Sequence, residues 1–183
     1  NMREKPKKER DFMKYVIDFA VLAVLYAFVF FRGWRRKGKD ILLVNTLLYA
    51  YLSLVLYVTM MPVITSLPFI LNHPYVPMNL VPFVDALEGN GDFVRQIIGN
   101  VIMTVPFGFL FPFTRKGNGR FLRTLFFCFL LSLGIELLQP LINDSRSSDI
   151  TDLITNVIGG MIGYIFYVLF RPVVLWILDH LRK

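Results

Sequence analysis

Residues whose side chains could do chemistry are concentrated between Gly134 and Gly163, a stretch flanked by two apolar segments. The stretch holds three acids, two amides and an arginine: Glu136, Asp149, Asp152, Gln139, Asn156 and Arg146. A carboxylate inside a membrane-spanning helix costs roughly 2.5–3.5 kcal/mol on insertion scales. Groups this close together must therefore face one another, face water or hold a ligand.

Helical geometry predicts that these groups converge. Each residue of an α-helix turns by about 100°, so a helix over this region would carry Asp149, Asp152 and Asn156 on one stripe. Glu136 and Gln139 lie about one turn apart near the end of the preceding apolar segment. A short polar loop joins the two segments and would bring their ends together. We therefore expect one polar cluster at one end of a helical bundle.

Several kinds of chemistry fit such a cluster. Glu136, Asp149 and Asp152 could hold a divalent cation through oxygen ligands, or supply a general base for catalysis. The cluster could instead seat a polar lipid head group, with Arg146 on a phosphate. The sequence contains no His and Cys pattern for metal binding, no phosphate-binding glycine loop and no nucleophile elbow. The residues alone leave these alternatives open.

Part of the cluster also has a structural explanation. Ser148 or Asp149 followed by Asp152 matches a helix N-cap with an acid in the first turn, which satisfies free amides and the helix dipole. A cap cannot explain Glu136, because that residue lies inside a helical pattern. We therefore expect a functional role for Glu136 and leave capping open for the two aspartates.

Two asparagines outside this stretch could complete the same site. Asn79 lies in the long segment 62–96, and Asn100 begins the third apolar run. Asn79 shortly precedes Pro82, so a turn explains it equally well. In the last apolar run, Gly159 and Gly163 form a G-x-x-x-G pattern, which favours close helix packing over ligand approach.

Composition places the chain in a membrane. The hydrophobic fraction of its 183 residues is 55% and the mean hydropathy is +0.56, which is too apolar for a soluble domain of this length. We predict an all-α polytopic membrane protein with about five hydrophobic segments. These are an N-terminal run and four membrane spans, at residues 15–31, 41–61, 97–113, 121–141 and 149–170.

The regions outside these segments have distinct predicted roles. Residues 1–14 would form a basic tail before a membrane domain of residues 15–170, and residues 171–183 an amphipathic tail at the membrane surface. Five prolines in residues 62–96 exclude one continuous helix there. We expect this extracytoplasmic loop to fold back on the helices, or to re-enter the bilayer where protein covers its backbone.

The charge distribution argues for membrane topology rather than nucleic-acid binding. The formal charge is +7, but most basic residues flank apolar segments, as membrane topology requires. The length of the first run favours five crossings with the N-terminus outside, whereas the Lys and Arg count favours a first run that does not cross. Both arrangements place the loops 62–96 and 142–148 on the extracytoplasmic face.

Four ordered blocks resemble the VanZ-like family, which is named for a teicoplanin-resistance protein. The blocks are MNLVPF (78–83), GNVIMTVPFGFLFP (99–112), IELLQ (135–139) and SRSSDITDLITNVIGGMIGY (145–164). The resemblance as a whole covers about residues 45–170. The family's characteristic polar positions match Asn79, Asn100, Glu136, Gln139, Arg146, Asp149, Asp152 and Asn156. Thr104 departs from the family pattern, which often has an aromatic residue at that position.

The resemblance implies a multi-pass protein of the bacterial cytoplasmic membrane, linked in some members to glycopeptide or lipoglycopeptide resistance, but it supplies no accepted reaction. Our leading hypothesis is an outward-facing acidic pocket that engages membrane lipids or lipid-linked cell-wall precursors. The acids would bind a cation or activate a group, while the amides and Arg146 would bind the ligand.

Three alternatives belong to other classes. The first is an intramembrane enzyme that modifies a lipid-linked substrate, with Glu136, Asp149 and Asp152 as catalytic groups. The second is a small lipid transporter or flippase, which would predict internal repeats that we do not find. The third is a scaffold whose polar groups only cap and pair helices.

Overall fold

A computed structural model describes residues 7–68, 77–89, 91–114, 120–142 and 147–182. This part of the chain is helical, with one isolated β-bridge and no strand. The elements are α1 (Lys7–Leu25), a π-helical stretch (Tyr26–Phe31), α2 (Arg32–Lys37), α3 (Lys39–Thr59), α4 (Val84–Glu88), α5 (Phe93–Leu110), a 3₁₀ stretch (Phe111–Thr114), α6 (Phe121–Ile142) and α7 (Ile150–Arg182). The all-α prediction is confirmed.

Five helical stretches of the described residues are long and apolar enough to cross a membrane. They are Phe12–Lys37, Lys39–Thr59, Phe93–Thr114, Phe121–Ile142 and Ile150–Arg182. Several helices extend beyond the apolar runs seen in the sequence. The reason is that flanking residues such as Lys, Arg and Gln are good helix formers, so a helix continues past the end of its apolar stretch. The predicted multi-span architecture is confirmed.

The last helix continues where the sequence suggested an end. Pro172 lies inside α7, which runs on to Arg182. Proline removes one backbone hydrogen bond from a helix, but membrane helices tolerate it when neighbouring groups satisfy the freed carbonyl. The described part of the predicted C-terminal tail is therefore a continuation of α7.

Helices α5 and α7 are in close contact because glycines lie where they meet. A methyl group added to Gly163 would overlap the carbonyl of Val105, and one added to Gly108 would overlap the carbonyl of Gly160. Small residues permit this backbone approach, which stabilises helix pairs inside a membrane. The packing interpretation of the G-x-x-x-G pattern is confirmed, and this helix pair forms the frame of the site below.

The N-terminal helix is tied to the loop after α3. Asp18 is buried on α1, and its carboxylate accepts hydrogen bonds from the Val63 and Ile64 amides at 2.6 and 3.0 Å. Further along the pair, the Tyr49 hydroxyl of α3 donates to the Leu22 carbonyl of α1 at 2.7 Å. The start of α1 and the end of α3 therefore share one end of the bundle. This antiparallel pairing fits the arrangement in which all five segments cross.

Candidate functional site

A cavity of about 1060 Å³ lies among α3, α5, α6 and α7, at the end of the bundle where α7 begins. Its lining includes six of the predicted site residues: Asn100, Glu136, Gln139, Asp149, Asp152 and Asn156. The structure thus brings together groups from α5, α6 and the start of α7. We refer to this space as the polar cavity.

Glu136 lies within α6, beside the start of α7, and its side chain is 2% exposed. Its Oε2 accepts a hydrogen bond from the Asp149 amide at 3.1 Å, and its backbone carbonyl accepts the Ser148 hydroxyl. Glu136 also has a further interaction within the protein. A buried carboxylate requires such partners, because desolvation of an unpaired charge is very costly. Glu136 therefore fixes the start of α7 while lining the polar cavity.

Asp149 precedes α7 rather than belonging to it, because the helix begins at Ile150. Its Oδ1 accepts the Thr151 amide at 2.7 Å, the bond of a capping residue. Its Oδ2 accepts from Asn79 Nδ2 at 3.2 Å. The expectation that Asp149 lies on the α7 stripe is therefore wrong, since a cap residue has non-helical backbone. The capping interpretation holds, and Asp149 lines the polar cavity as well.

Asn79 holds the long loop against the start of α7 and does not appear in the lining of the cavity. Its amide donates to the Ser148 carbonyl and its carbonyl accepts from the Ile150 amide, both at 2.9 Å. Its side-chain oxygen accepts from the Val81 amide at 3.1 Å, which is the turn that the sequence offered as an alternative. Asn79 therefore positions Asp149 through its side-chain Nδ2 and shapes its own loop through its side-chain Oδ1.

Helix α5 contributes two polar residues to the polar cavity that the sequence analysis did not select. Gln96 donates from Nε2 to Asp152 Oδ1 at 2.9 Å, and Arg95 lines the same space. Both lie before the apolar run that marked this helix in the sequence. Gly99 and Asn100 follow Arg95 and Gln96 by four residues each, and residues at that spacing share a helix face. This spacing is the sequence signal that could have identified Arg95 and Gln96 as cavity residues.

The inner part of the polar cavity holds amide atoms with unused hydrogen-bonding capacity. Asn156 is 1% exposed and donates from Nδ2 to Ser132 Oγ at 2.8 Å. In the described structure its Oδ1 has no partner, and Asn100 Nδ2 is likewise buried without one. Buried polar atoms are nearly always satisfied, by protein or by an ordered water. Asn100 and Asn156 both line the polar cavity, so these two atoms are the ones that a ligand or an ordered water there would satisfy.

Thr104 supports Asn156 from α5. Its buried hydroxyl donates to the Asn156 carbonyl at 2.7 Å, and it lies directly against Gly159. The Cys128 thiol of α6 approaches the same carbonyl at 3.6 Å. The departure from the family pattern at Thr104 thus places a hydrogen-bonding residue at the contact between α5 and α7.

Helix α3 closes the polar cavity at two points and leaves an opening between them. Gln139 Nε2 donates to the Thr59 carbonyl at 2.9 Å, and the Tyr51 hydroxyl donates to the Met103 carbonyl at 2.8 Å. Between these points Leu54, Val55 and Val58 line the cavity; Val55 is buried and the other two are exposed.

That opening is formed by Leu54 and Val58 of α3 and by Ile102 of α5. Their side chains are 58%, 59% and 64% exposed. All three belong to stretches that can span a membrane, where exposed apolar side chains face lipid tails. The polar cavity therefore has exposed apolar lining on its lipid-facing side, while Asp92, Arg95 and Gln96 are exposed at its polar end.

The acids do not form a complete metal site within the described ranges. These ranges contain no group of three or more His, Cys, Asp or Glu side chains placed to hold a metal ion. Glu136 accepts a hydrogen bond from the Asp149 amide, and Asp152 accepts one from the Gln96 side chain. The two carboxylates are therefore not directed at one common point. The described structure therefore provides no ligand set for the predicted divalent cation. Arg146, predicted as the phosphate ligand, lies outside the described residues.

Comparisons with known proteins cover the same region. A family model described as VanZ/LLP1 matches residues 48–171, a range that includes every residue of the polar cavity's lining. Protein VanZ of Enterococcus faecium is 41% identical over 90 residues, which are 49% of this chain and 52% of the relative. The chain thus spans about half the length of this curated relative. No solved structure matches.

Proposed function

Because the chain belongs to the VanZ/LLP1 family, we propose that it lowers bacterial sensitivity to teicoplanin-type glycopeptide and lipoglycopeptide antibiotics. In this proposal it acts by engaging a membrane lipid or a lipid-linked cell-wall precursor in the polar cavity. The observation that carries the proposal is the two-part lining of that cavity. A polar interior containing Glu136 and Asn156 adjoins exposed apolar lining at Val58 and Ile102, which we take as the mouth of the cavity.

This lining suits an amphiphilic ligand. A head group would bind at the polar end, while an attached chain would leave through the mouth and stay among lipid tails. On α5 the lining extends from Asp92 to Pro106, or about 21 Å at 1.5 Å per residue. That is more than half of the roughly 30 Å hydrocarbon core. The volume of about 1060 Å³ is slightly above the roughly 300–1,000 Å³ range of small-molecule sites.

We place the polar cavity toward the extracytoplasmic side of the cytoplasmic membrane. At the opposite end of the bundle α2 carries Arg32, Arg35, Arg36 and Lys37, and α6 begins beside Arg120 and Arg123, as helix ends next to cytoplasmic loops do. The cavity end carries the long loop 62–96, whose only Lys or Arg is Arg95. This orientation opens the cavity to lipids of the outer leaflet.

A second candidate is an intramembrane enzyme acting on a lipid-linked substrate in the same place. Its support is Glu136, a buried carboxylate in the lining, since a general base must lie within hydrogen-bond reach of its substrate. Formation of a product by the purified protein distinguishes this candidate from binding alone.

Teicoplanin susceptibility tests the proposal in a sensitive Gram-positive host that expresses wild type or variants at matched membrane levels. The main variant is Gly99→Leu. Gly99 lines the polar cavity, and a side chain begun there meets no atom within 4 Å. Leucine is also a better helix former than glycine, by up to about 1 kcal/mol. The variant should therefore fold, with its side chain occupying ligand space.

The matched control is Gly33→Leu on α2, where an added side chain also meets no atom within 4 Å but lies outside the cavity. We expect wild type and Gly33→Leu to protect the host and Gly99→Leu to lose protection. The near-isosteric variants Glu136→Gln and Asp152→Asn should lose it too if the carboxylates act through charge. Equal protection by all variants would reject a role for the cavity, and protection by none would reject the resistance assignment.

A further inference from the structure

We infer that the head group bound in the polar cavity carries a primary ammonium, so that the ligand class is an amine-bearing lipid. This inference rests on the proposed function and specifies the ligand of the same site. It follows from the charge of the lining, from an unpaired acceptor at the inner end and from the donors on the opposite wall.

Carboxylates dominate the charge of the polar cavity. The described lining contains four of them, on Asp92, Glu136, Asp149 and Asp152, against the single guanidinium of Arg95. Arg146, which follows α6 in the sequence and lies outside the described residues, would offset one more charge. The formal charge of the site therefore stays negative. A site of this charge attracts a cationic group and repels a purely anionic one.

Asn156 supports the same conclusion independently of the acids. Its side chain is 1% exposed and lines the polar cavity, and its Oδ1 has no hydrogen-bond partner among the described residues. This atom is an acceptor, as the carboxylate oxygens are, so the inner cavity needs donors. A primary ammonium has three N–H donors. A quaternary ammonium has the charge without N–H donors, and a phosphatidylglycerol head group has hydroxyl donors but a net negative charge.

Side chains on α5 provide donors for the phosphate of such a head group. Asn100 Nδ2 is a buried donor without a partner in the described structure, and the Arg95 guanidinium lies five residues earlier on the same helix. Arginine and amide donors bind phosphate oxygens well. The phosphate that links an ammonium head group to its chain would therefore lie against α5. The ammonium would then point toward α6 and α7, which supply Glu136 and Asp152.

The test measures which lipid the purified protein retains. Wild type is reconstituted in vesicles of equal parts phosphatidylethanolamine, phosphatidylcholine and phosphatidylglycerol with identical acyl chains, and retained lipid is identified by native mass spectrometry. We expect the ethanolamine lipid to be enriched roughly tenfold over the other two. This is about the ratio that one additional hydrogen bond to a charged group would produce. A second mixture adds lysyl-phosphatidylglycerol, which separates an aminoacylated source of the ammonium from an ethanolamine source.

Variants then connect the preference to the lining. Asp92→Asn and Asp152→Asn should each move the enrichment toward unity. Asp92 forms no side-chain cap at the start of α5, and an asparagine at 152 can still accept from Gln96, so both variants should fold. Glu88→Gln removes a carboxylate from the same end of the bundle outside the lining and should keep the preference.

The outcomes separate this inference from the proposed function. Lipid that is retained by wild type and lost in Gly99→Leu, but without preference for an amine, overturns the ammonium inference and leaves lipid engagement standing. A preference for phosphatidylglycerol, or an amine preference unchanged in both carboxamide variants, overturns the inference as well. Lipid retention that Gly99→Leu does not reduce contradicts the proposed function itself.

Discussion

Replacement of Gly163 by alanine should destabilise the protein, because this glycine lies at the contact between α5 and α7. An alanine Cβ would overlap the Val105 carbonyl and would lie 2.9 Å from both Gly108 Cα and Phe109 N. Ordinary contact begins at 3.4 Å, so the overlap with the Val105 carbonyl decides the movement, and the two helices must separate by more than about 1 Å. The obstructing atoms are backbone, which cannot move aside as a flexible side chain can.

The expected cost is the balance of two terms. Overpacking of this kind typically costs about 1–3 kcal/mol, while alanine gains up to about 1 kcal/mol of helix propensity over glycine. Because the obstructing atoms are backbone, we take the upper half of the overpacking range, about 2–3 kcal/mol. The net loss is then about 1–2 kcal/mol, which corresponds to a melting temperature roughly 2–8 °C lower for a chain of this size. Gly134→Ala is the matched control, since an added methyl group there meets no atom within 4 Å. It should raise the melting temperature or leave it unchanged.

The chain carries its own reporter for this measurement. Cys128 is the single cysteine and is fully buried on α6, so a thiol-reactive dye labels it only as the bundle opens. Thermal labelling curves of the purified variants in detergent then give the two melting temperatures. If Gly163→Ala melted at or above the wild-type temperature, the close approach of α5 and α7 would be refuted.

Three further substitutions test separate contacts by the same labelling assay. Asp18→Ala leaves two loop amides without their carboxylate and should cost about 2–4 kcal/mol, so an unchanged melting temperature would contradict the pairing of α1 with the loop after α3. Thr104→Val keeps the side-chain shape but removes the donor to the Asn156 carbonyl, and should cost about 1 kcal/mol; a gain in stability would refute this bond. Gln139→Leu removes the donor to the Thr59 carbonyl and should destabilise by about 1–3 kcal/mol, whereas a neutral result would show that α3 is not held there.

Apolar patterning predicts the helices well because the surrounding lipid imposes it. A membrane span needs about twenty mostly apolar residues, and each predicted apolar run lies largely within an observed helix. The same signal gives poor helix ends. Helix α5 begins at Phe93, before the predicted apolar run, so Arg95 and Gln96 belong to the helix. A hydropathy pattern detects only the apolar part of a span and cannot show that a polar turn precedes it.

The site was partly predictable for a related reason. Glu136 stood out because a carboxylate inside an apolar helix needs an explanation, and the structure places it in the lining of the polar cavity. The contact of Asn79 with Asp149 joins residues seventy positions apart, which no local pattern reveals. The capping geometry of Asp149 depended on where α7 begins, and helix ends are the least predictable feature of a sequence.

The most direct test of a lipid-binding cavity is the number of lipids that the purified protein retains after detergent exchange, counted by native mass spectrometry. Wild type, Gly99→Leu and Gly33→Leu would be prepared in parallel from the same membranes. The account predicts a bound lipid in wild type and Gly33→Leu that is missing from Gly99→Leu, since only that side chain enters the cavity. Equal retention by all three proteins would contradict it, because the bound lipid would then lie elsewhere on the bundle.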